Sequence, residues 1–351
     1  MILAAVPDFC YFMGCMEAHR REKWSSGRGP GRPPLEEVLA RLDEEVTLLH
    51  ESLGGLPRAV EADQILRAIW IDDVHNSTAI EGNTMTREQV VDLVERRRPS
   101  ATLVESLEVE GYARAADWTY RNAAEFQGVP STAVAEIHRL ALGPVWEVEP
   151  PASRDRAGSW RSGGVSLRGV RVSLPSSITP DLEAWSESTK DDAGKHPILH
   201  AALHHAWFER IHPFVDGNGR VGRLVLNFLL MQRGYPPAVV PKERRSRYLR
   251  SLRTADSGNV GPLGEVVARA VSGTLSRFLI PKLAGEAKLV PLSALAAQGY
   301  YSADYLRQLV LARRLKAIRE GRLWLSSKLW IEEYIALRDP RGGPGPRTRR
   351  R

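Results

Sequence analysis

The stretch His212-Pro213-Phe214-Val215-Asp216-Gly217-Asn218-Gly219-Arg220, followed by Gly222 and Arg223, decides the fold. On its N-terminal side, residues 196–211 (HPILHAALHHAWFERI) are rich in apolar residues, and Pro213 forbids that helix from continuing. On its C-terminal side, residues 219–232 (GRVGRLVLNFLLMQ) are again helical in pattern, so a new helix opens among the glycines. Such a helix-loop-helix leaves the first N–H groups of the second helix without intrahelical partners. Those groups, with the helix dipole behind them, form an anion site.

The side chains in the loop suit phosphate chemistry. Gly217 and Gly219 let backbone approach phosphate oxygens, and Asn218 adds a side-chain donor. Asp216 is a hard oxygen ligand placed where Mg²⁺ would bridge phosphates. Arg220 and Arg223, three apart on the first turn of the new helix, can clamp further phosphate oxygens. His212 has an ordinary pKa suited to taking a proton from an attacking hydroxyl. A base, a metal ligand, an anion nest and two cationic clamps thus fall within twelve residues.

The rest of the chain bounds where such a loop can sit. With 351 residues, 26% charged and 43% hydrophobic, the sequence describes a folded chain with one substantial core and one or two smaller units. No apolar stretch reaches a membrane-spanning length of about twenty residues, and no region repeats at a fixed period. The net charge of +7 is concentrated at the ends, in Arg20, Arg21, Lys23, Arg28 and Arg32 and in the Arg-rich stretch from Arg338 to Arg351. Any polyanion partner is therefore expected at the basic C-terminal end. The only cysteines, Cys10 and Cys15, cannot staple the core, and no basic residue precedes the apolar start, so a cytoplasmic location is expected.

The pattern along the chain is mainly α. A flexible basic arm (1–34) precedes an N-terminal helical region (35–157), with helices at about 35–53, 59–80, 86–95, 103–126 and 132–142. Between Gly158 and Leu174 (GSWRSGGVSLRGVRVSL), β-formers alternate with polar residues around glycines, which predicts an inserted β-hairpin. Helical patterns return at about 181–188, 196–211, 219–232, 242–252 and 262–279. A linker (281–290) then leads to a small unit (291–337) and a basic tail (338–351).

The loop resembles the signature of the Fic family of protein nucleotidyltransferases, H-P-F-x-[D/E]-G-N-[G/K]-R, at every specified position. The flanking helices and GSWRSGGVSL resemble the family's helical core and flap over residues 158–279, reaching back to about Ile71. The resemblance implies transfer of AMP from Mg-ATP to a hydroxyl side chain of a protein, on Tyr, Thr or Ser. In that scheme His212 is the base, Asp216 holds Mg²⁺, and Gly217, Asn218 and Gly219 cradle the α- and β-phosphates. Arg220 and Arg223 stabilise the remaining phosphates, and Arg244 and Tyr248 resemble a segment near the adenine pocket. Phe214 anchors the loop in the core. The flap around Gly163, Gly164, Val165 and Ser166 registers the target by strand addition. Gly219 stands where phosphotransferring Doc-like members carry Lys, which favours nucleotidyl transfer.

A second motif, Ser77-Thr78-Ala79-Ile80-Glu81-Gly82, resembles the family's inhibitory pattern [S/T]-x-x-x-E-[G/N]. Ser77 and Glu81 are four apart and project from one helical face, and Gly82 supplies the helix stop. The resemblance implies that Glu81 pairs with Arg223 and restrains the enzyme. Residues 292–337 resemble a small winged helix-turn-helix, with Leu292, Leu295, Leu306, Leu309, Val310, Leu315, Trp324 and Tyr334 as its core. Its basic residues Arg307, Arg313, Arg314 and, on the wing, Arg322 offer a phosphate-facing stripe for DNA, while docking and homodimer formation are equally open. Two rival functions follow. In one the chain is a DNA-binding regulator whose core senses nucleotide; in the other Glu81 orients water to remove AMP from a modified protein.

Overall fold

The computed structural model describes residues 35–53, 56, 64–166, 172–191, 194–284, 289–299, 301–312, 314–320 and 323–338. The expected basic arm and the tail beyond residue 338 lie outside them. The chain divides into two compact units, Met1–Leu275 and Ser276–Arg351.

The first unit is a helical assembly. In chain order it contains α1 (Leu35–Leu53), α2 (Gln64–Ile80), α3 (Arg87–Val94), α4 (Leu103–Asn122), α5 (Ser131–Trp146), α6 (Ile178–Ser188), α7 (Pro197–Ile211), α8 (Asn218–Gln232), α9 (Arg245–Asp256) and the start of α10 (Gly261–Ala284). Helix starts follow local chemistry. Thr86 with Gln89, and Thr102 with Glu105, form capping boxes that satisfy orphan N–H groups at the heads of α3 and α4. Pro197 opens α7 at the first turn, where its missing N–H costs nothing, and the His196 ring accepts from the Ile198 N–H.

Helices α4 and α5 pack together, α7 pairs with α8, and α2 lies against α4 and α8. Along α7 every residue from Ile198 to Phe208 is buried, as expected of a helix apolar around most of its circumference. Helix α8 is almost as deeply buried, including Asn218, Arg220, Arg223 and Asn227. Four polar groups on a buried helix must find partners, and those partners define the site below.

Among the described residues of 158–174, no strand ladder forms. Residues 158–166 and 172–174 run as turns, bends and extended chain, and residues 167–171 of the expected hairpin lie outside the described set. The expected 59–80 helix begins at Gln64, with 57–63 outside the description, and the 242–252 helix is preceded by a 3₁₀ turn at Lys242–Arg244.

The second unit contains β1 (Val290–Pro291), α11 (Leu292–Ala297), α12 (Ala303–Leu311), β2 (Ile318–Glu320), β3 (Leu323–Ser326) and α13 (Lys328–Arg338). Its antiparallel sheet has the order β1-β3-β2, with Val290 opposite Ser326 and Arg319 opposite Trp324. Ser302 caps α12 through the Tyr305 N–H. The core comprises Leu292, Leu295, Leu306, Leu309, Val310, Leu315, Trp330, Ile331 and Tyr334. Trp324, expected there, is only partly buried and packs against that core from β3, while Trp330 of α13 is buried in it. No helix among the described residues is long and apolar enough to cross a membrane.

Candidate active site

Helix α7 ends at Ile211, and His212 takes a left-handed conformation (φ 50°, ψ 60°) that glycine usually supplies. Its N–H closes the helix onto the Phe208 carbonyl at 3.0 Å. Its Nδ1 lies 3.2 Å from the Glu209 carbonyl and therefore donates to it. That hydrogen bond assigns the tautomer, leaving Nε2 with a lone pair. Burial lowers the His212 pKa below its ordinary value, and the positive Arg161 adds to that effect. The Glu209 hydrogen bond and the carboxylates of Asp216 and Glu81 oppose it. The ring therefore stays neutral near pH 7, as a proton acceptor must.

Gly217 caps α8 in a left-handed conformation (φ 84°) with no side-chain cap, so the first N–H groups of α8 remain open toward the loop. Leu142 Cδ2 would stand 2.6 Å from any Cβ at Gly217, so a larger residue fails there on two counts. The Asp216 carboxylate accepts from the Gly217 N–H at 2.6 Å and from Arg220 at 3.0 Å, yet its side chain is 65% exposed. A single exposed carboxylate beside an anion nest suits Mg²⁺, which takes one or two protein carboxylates and completes its shell with phosphate and water oxygens. Among the described residues no group of three or more His, Cys, Asp or Glu could hold a metal without such help.

The Asn218 amide accepts from the Phe214 N–H at 3.0 Å and donates to the Phe214 carbonyl at 2.8 Å, which closes the loop on itself. One amide hydrogen is thereby committed to the loop, beside the backbone N–H at the head of α8. Arg220 is buried between Asp216 and Glu108 (3.4 Å), and its Nε has no partner among the described residues.

Phe214 is fully buried and stacks on His138, with ring centroids 3.6 Å apart and planes within 9°. His138 accepts the Gly158 N–H at Nδ1 (2.7 Å), so its Nε2 carries the proton and donates to the Asp216 carbonyl at 3.1 Å. Burial pushes its pKa down to about 4, which keeps that tautomer neutral at physiological pH. The imidazole from α5 thus fixes both the anchor and the carbonyl of the acidic residue.

Helix α2 lies against α8 by a ladder of polar contacts. Asp73, Ser77 and Glu81 are spaced by four and share one face; Arg223 and Asn227 are spaced by four on α8. Asn227 Nδ2 donates to Asp73 at 3.3 Å. Arg223 Nε donates to Ser77 Oγ at 2.7 Å, and another of its nitrogens to the Ser77 carbonyl (2.9 Å) and Glu81 Oε1 (2.7 Å). Burial works against the Arg223 charge, but the Glu81 carboxylate, together with Tyr248 and Tyr112, more than offsets it and holds the guanidinium firmly protonated. The same Glu81 oxygen would lie 2.5 Å from a Cβ at Gly219, so the carboxylate rests against the open first turn of α8, where an anion would bind. The end of α2 is clasped from outside: Arg245 Nε donates to the Ile80 carbonyl at 2.6 Å, and the Lys242 N–H to Asn76 Oδ1 at 2.9 Å.

Behind Arg223 lies a further buried group. Glu209 Oε1 has no hydrogen-bond partner among the described residues and packs against Gly222, 2.3 Å from where a Cβ would stand. Burial pushes its pKa up to about 7, against the pull of Arg223 and with the help of Glu81. Tyr248 is fully buried, its hydroxyl 2.7 Å from His205 Nε2 and its ring 5.9 Å from the Arg223 guanidinium. It is thus enclosed in this cluster, while Arg244 is exposed at the head of α9.

The loop therefore brings together His212, Asp216, Gly217, Gly219, Arg220, Arg223, Ser77 and Glu81. Gly163, Gly164, Val165 and Ser166 form a separate irregular segment, tied to the loop through Arg161. In the second unit, Arg307 is exposed on α12 and Arg314 stacks over Tyr334 at 5.7 Å, while Arg313 and Arg322 lie outside the described residues. Sequence reasoning missed His138, Arg161, Glu108, Glu209 and Arg245. Only Arg161, inside GSWRSGG, carried any local signal.

A model of the Fic/DOC family matches residues 129–230. The chain is similar to the "Protein adenylyltransferase Fic" of Drosophila melanogaster, 34% identical over 250 residues, covering 69% of this chain and 48% of that relative. It spans about half the length of the curated relatives it matches. Among solved structures it is similar to Fic-1 (residues 134–508) of C. elegans, at TM-score 0.60 and 26% identity, covering 70% of this chain and 72% of that one. A Fic domain containing signaling protein from Bacteroides thetaiotaomicron, at TM-score 0.57 and 21% identity, covers 69% of this chain and 97% of that one and shares its fold.

Proposed function

We propose that this chain, which carries a Fic/DOC family domain, is a restrained protein adenylyltransferase that moves AMP from ATP to a hydroxyl side chain of a protein. One observation carries this reading: His212 presents an unprotonated Nε2 at the mouth of an uncapped helix N-terminus, with the exposed Asp216 carboxylate beside it. In the reaction, the hydroxyl oxygen forms a bond to the α-phosphorus of ATP while the bond from that phosphorus to the oxygen bridging to the β-phosphate breaks. His212 Nε2 takes the hydroxyl proton, and pyrophosphate leaves. The backbone N–H groups of Asn218 and Gly219 and the N-terminal dipole of α8 receive the α- and β-phosphate oxygens, while Gly217, whose N–H is given to Asp216, supplies the left-handed turn that lets the backbone approach them. Asp216 would hold Mg²⁺, which when bound neutralises phosphate charge. Arg223 is the cation for the terminal phosphate, and the Glu81 carboxylate competes for it. Arg220, tied to Asp216, keeps that carboxylate oriented.

The test is intact-mass analysis of Glu81→Gly protein incubated with Mg-ATP, alone and with a cell lysate. One AMP added to the chain or to a lysate protein, and lost with His212→Ala, supports the reading; no adduct in either arm refutes it. A specific observation favours a second activity at the same site. Glu81 bonds only through Oε1 among the described residues and is 36% exposed, which leaves Oε2 open to a water. Wild-type protein that strips AMP from a modified target, while Glu81→Gly does not, would select that reaction. For the second unit, the exposed Arg307 and Arg314 support a polyanion contact. Titration with promoter and random DNA at several salt concentrations tests it against a purely docking role.

A further inference from the structure

Arg161 is a buried cation that bridges the loop to the chain before it, and nothing in the scheme above uses it. It is 3% exposed, and its guanidinium faces three backbone carbonyls at once. Nε donates to the His212 carbonyl at 2.8 Å, one terminal nitrogen to the Gly163 carbonyl at 2.8 Å, and the other to the Ser173 carbonyl. Its own N–H donates to the Pro213 carbonyl at 2.9 Å. Two of these acceptors, His212 and Pro213, belong to the loop. Of the other two, Gly163 opens the Gly163–Ser166 stretch that would register a target backbone, and Ser173 precedes the 3₁₀ turn Pro175–Ser177. Ser173 is fixed in turn: its N–H donates to the Arg210 carbonyl at 3.3 Å and its hydroxyl to Asp181 at 2.5 Å. The neighbouring Trp160 packs on Phe214 with centroids 5.2 Å apart, so the hub is bolted to the loop anchor as well.

A planar, permanently charged fork suits this geometry, since carbonyl dipoles on three sides replace water around the guanidinium. Three carbonyls aimed at one cation also lock their peptide planes. The His212 peptide sits in a left-handed conformation that costs a non-glycine residue free energy, and the bond to its carbonyl offsets part of that cost.

We propose that Arg161 is a positioning residue that couples the target-docking residues Gly163–Ser166 to the base His212, so that a target strand is presented to Nε2 at a fixed distance. This rests on the adenylyltransferase reading. The positive charge acts on the base as well. His212 is faced by Arg161 on the flap side, by Glu209 through its carbonyl on α7, by Asp216 on the loop and by Glu81 from α2. Of these Arg161 alone disfavours the protonated ring, so its removal raises the His212 pKa.

The experiment compares Arg161→Gln and Arg161→Lys in the full chain carrying Glu81→Gly. AMP transfer is measured to a His212→Ala copy of the chain as acceptor, and AMP release to water is measured in parallel. Arg161→Gln is expected to lower transfer to the protein by about tenfold, the loss of one charge-assisted hydrogen bond, while release to water changes far less. In separate nucleotide-free samples with Glu81 intact, the His212 Cε1–H resonance followed by NMR is expected to titrate at higher pH in Arg161→Gln than in wild type. It should return toward wild type in Arg161→Lys, which restores charge but not the fork, and whose transfer stays low. If transfer and water release fall together, or if the titration does not move in a folded Arg161→Gln chain, the coupling role is wrong. If Glu81→Gly transfers no AMP either to the chain or to a protein of an added cell lysate, the adenylyltransferase reading fails instead, and the titration still decides whether Arg161 sets the state of His212. Should Arg161→Gln fail to fold, Arg161→Lys carries the test: transfer reduced against unchanged water release supports the role, and equal transfer overturns it.

Discussion

Replacing Glu81 by Gly removes the contact that the proposed restraint depends on, and its size can be worked from the structure. The Glu81–Arg223 hydrogen bond is 2.7 Å long, with Arg223 at 3% exposure and Glu81 at 36%. A hydrogen bond to a charged group contributes about 1.5–3 kcal/mol, and the exposure of Glu81 puts this one near the lower end, at about 1.5–2 kcal/mol. At about 1.4 kcal/mol per decade, Glu81→Gly should raise AMP incorporation by roughly 10–30-fold at subsaturating ATP. Glu81→Gln, which keeps an acceptor but loses the charge, should fall between. Arg223 is left buried with Ser77 and the Tyr248 ring but no carboxylate hydrogen bond to hold it, so Glu81→Gly should also melt earlier than wild type and gain more in Tm from Mg-ATP. The assay is labelled-AMP incorporation against ATP concentration, with His212→Ala as the blank. A Glu81→Gly rate at or below wild type, in protein that is folded and whose activity His212→Ala abolishes, would refute the idea that this contact restrains the enzyme.

Arg245→Ala removes the clasp on the Ile80 carbonyl and should raise basal incorporation by a few-fold, less than Glu81→Gly, in the same assay. Glu209, with a pKa raised to about 7, contributes stability present below its unfolded value near 4.5 and lost as pH rises through about 7. Chemical denaturation should therefore show Glu209→Gln gaining on wild type across that window, by up to about 3 kcal/mol; a constant difference between pH 5 and 8 would contradict the burial argument. Phe214→Ala empties a fully buried ring site beside His138 and should cost about 3–5 kcal/mol in denaturant titration, with loss of transfer in the protein that remains folded.

The loop was legible in the sequence because its chemistry is local. Pro213 ends one helix, the glycines open the next, and His212, Asp216 and Arg223 differ from everything around them within a dozen residues. The main helices were legible for the same reason: apolar period and capping act over three or four residues. What could not be read depends on distant pairings. His138 lies far up the chain on α5, and its roles under Phe214 and behind the Asp216 carbonyl exist only once α5 packs against α8. Asn218 reads as an anion donor because its sequence neighbours are glycines, and the two bonds of its amide to the Phe214 backbone, which close the loop, carry no local sequence signal. Tyr248 reads as a binding-surface residue, yet His205 and Arg223 enclose it. Trp324 and Trp330 are equally apolar, and only the strand and helix directions decide which one is buried.

The ladder between α2 and α8 has unequal rungs, and the inequality bears on how restraint is lifted. Asp73 is 3% exposed and held by Tyr120 at 2.9 Å, Tyr112 at 3.4 Å and Asn227 at 3.3 Å, with burial pushing its pKa up to about 6. Ser77 is 2% exposed. Separating the helices at these positions would strand several buried polar groups, at about 1–3 kcal/mol each. Glu81 sits at the C-terminal end, partly in water, where α2 closes on Gly82 (φ 113°) and the Ile80 carbonyl is held by the exposed Arg245. Fraying the final turn of α2 breaks the Glu81 contact and the Arg245 clasp while leaving Ser77 and Asp73 in place. Arg223 is then held by Ser77 and the Tyr248 ring, without its competing carboxylate. An activating signal therefore needs to act on a single helical turn, and the buried rungs keep the guanidinium aimed while it does so.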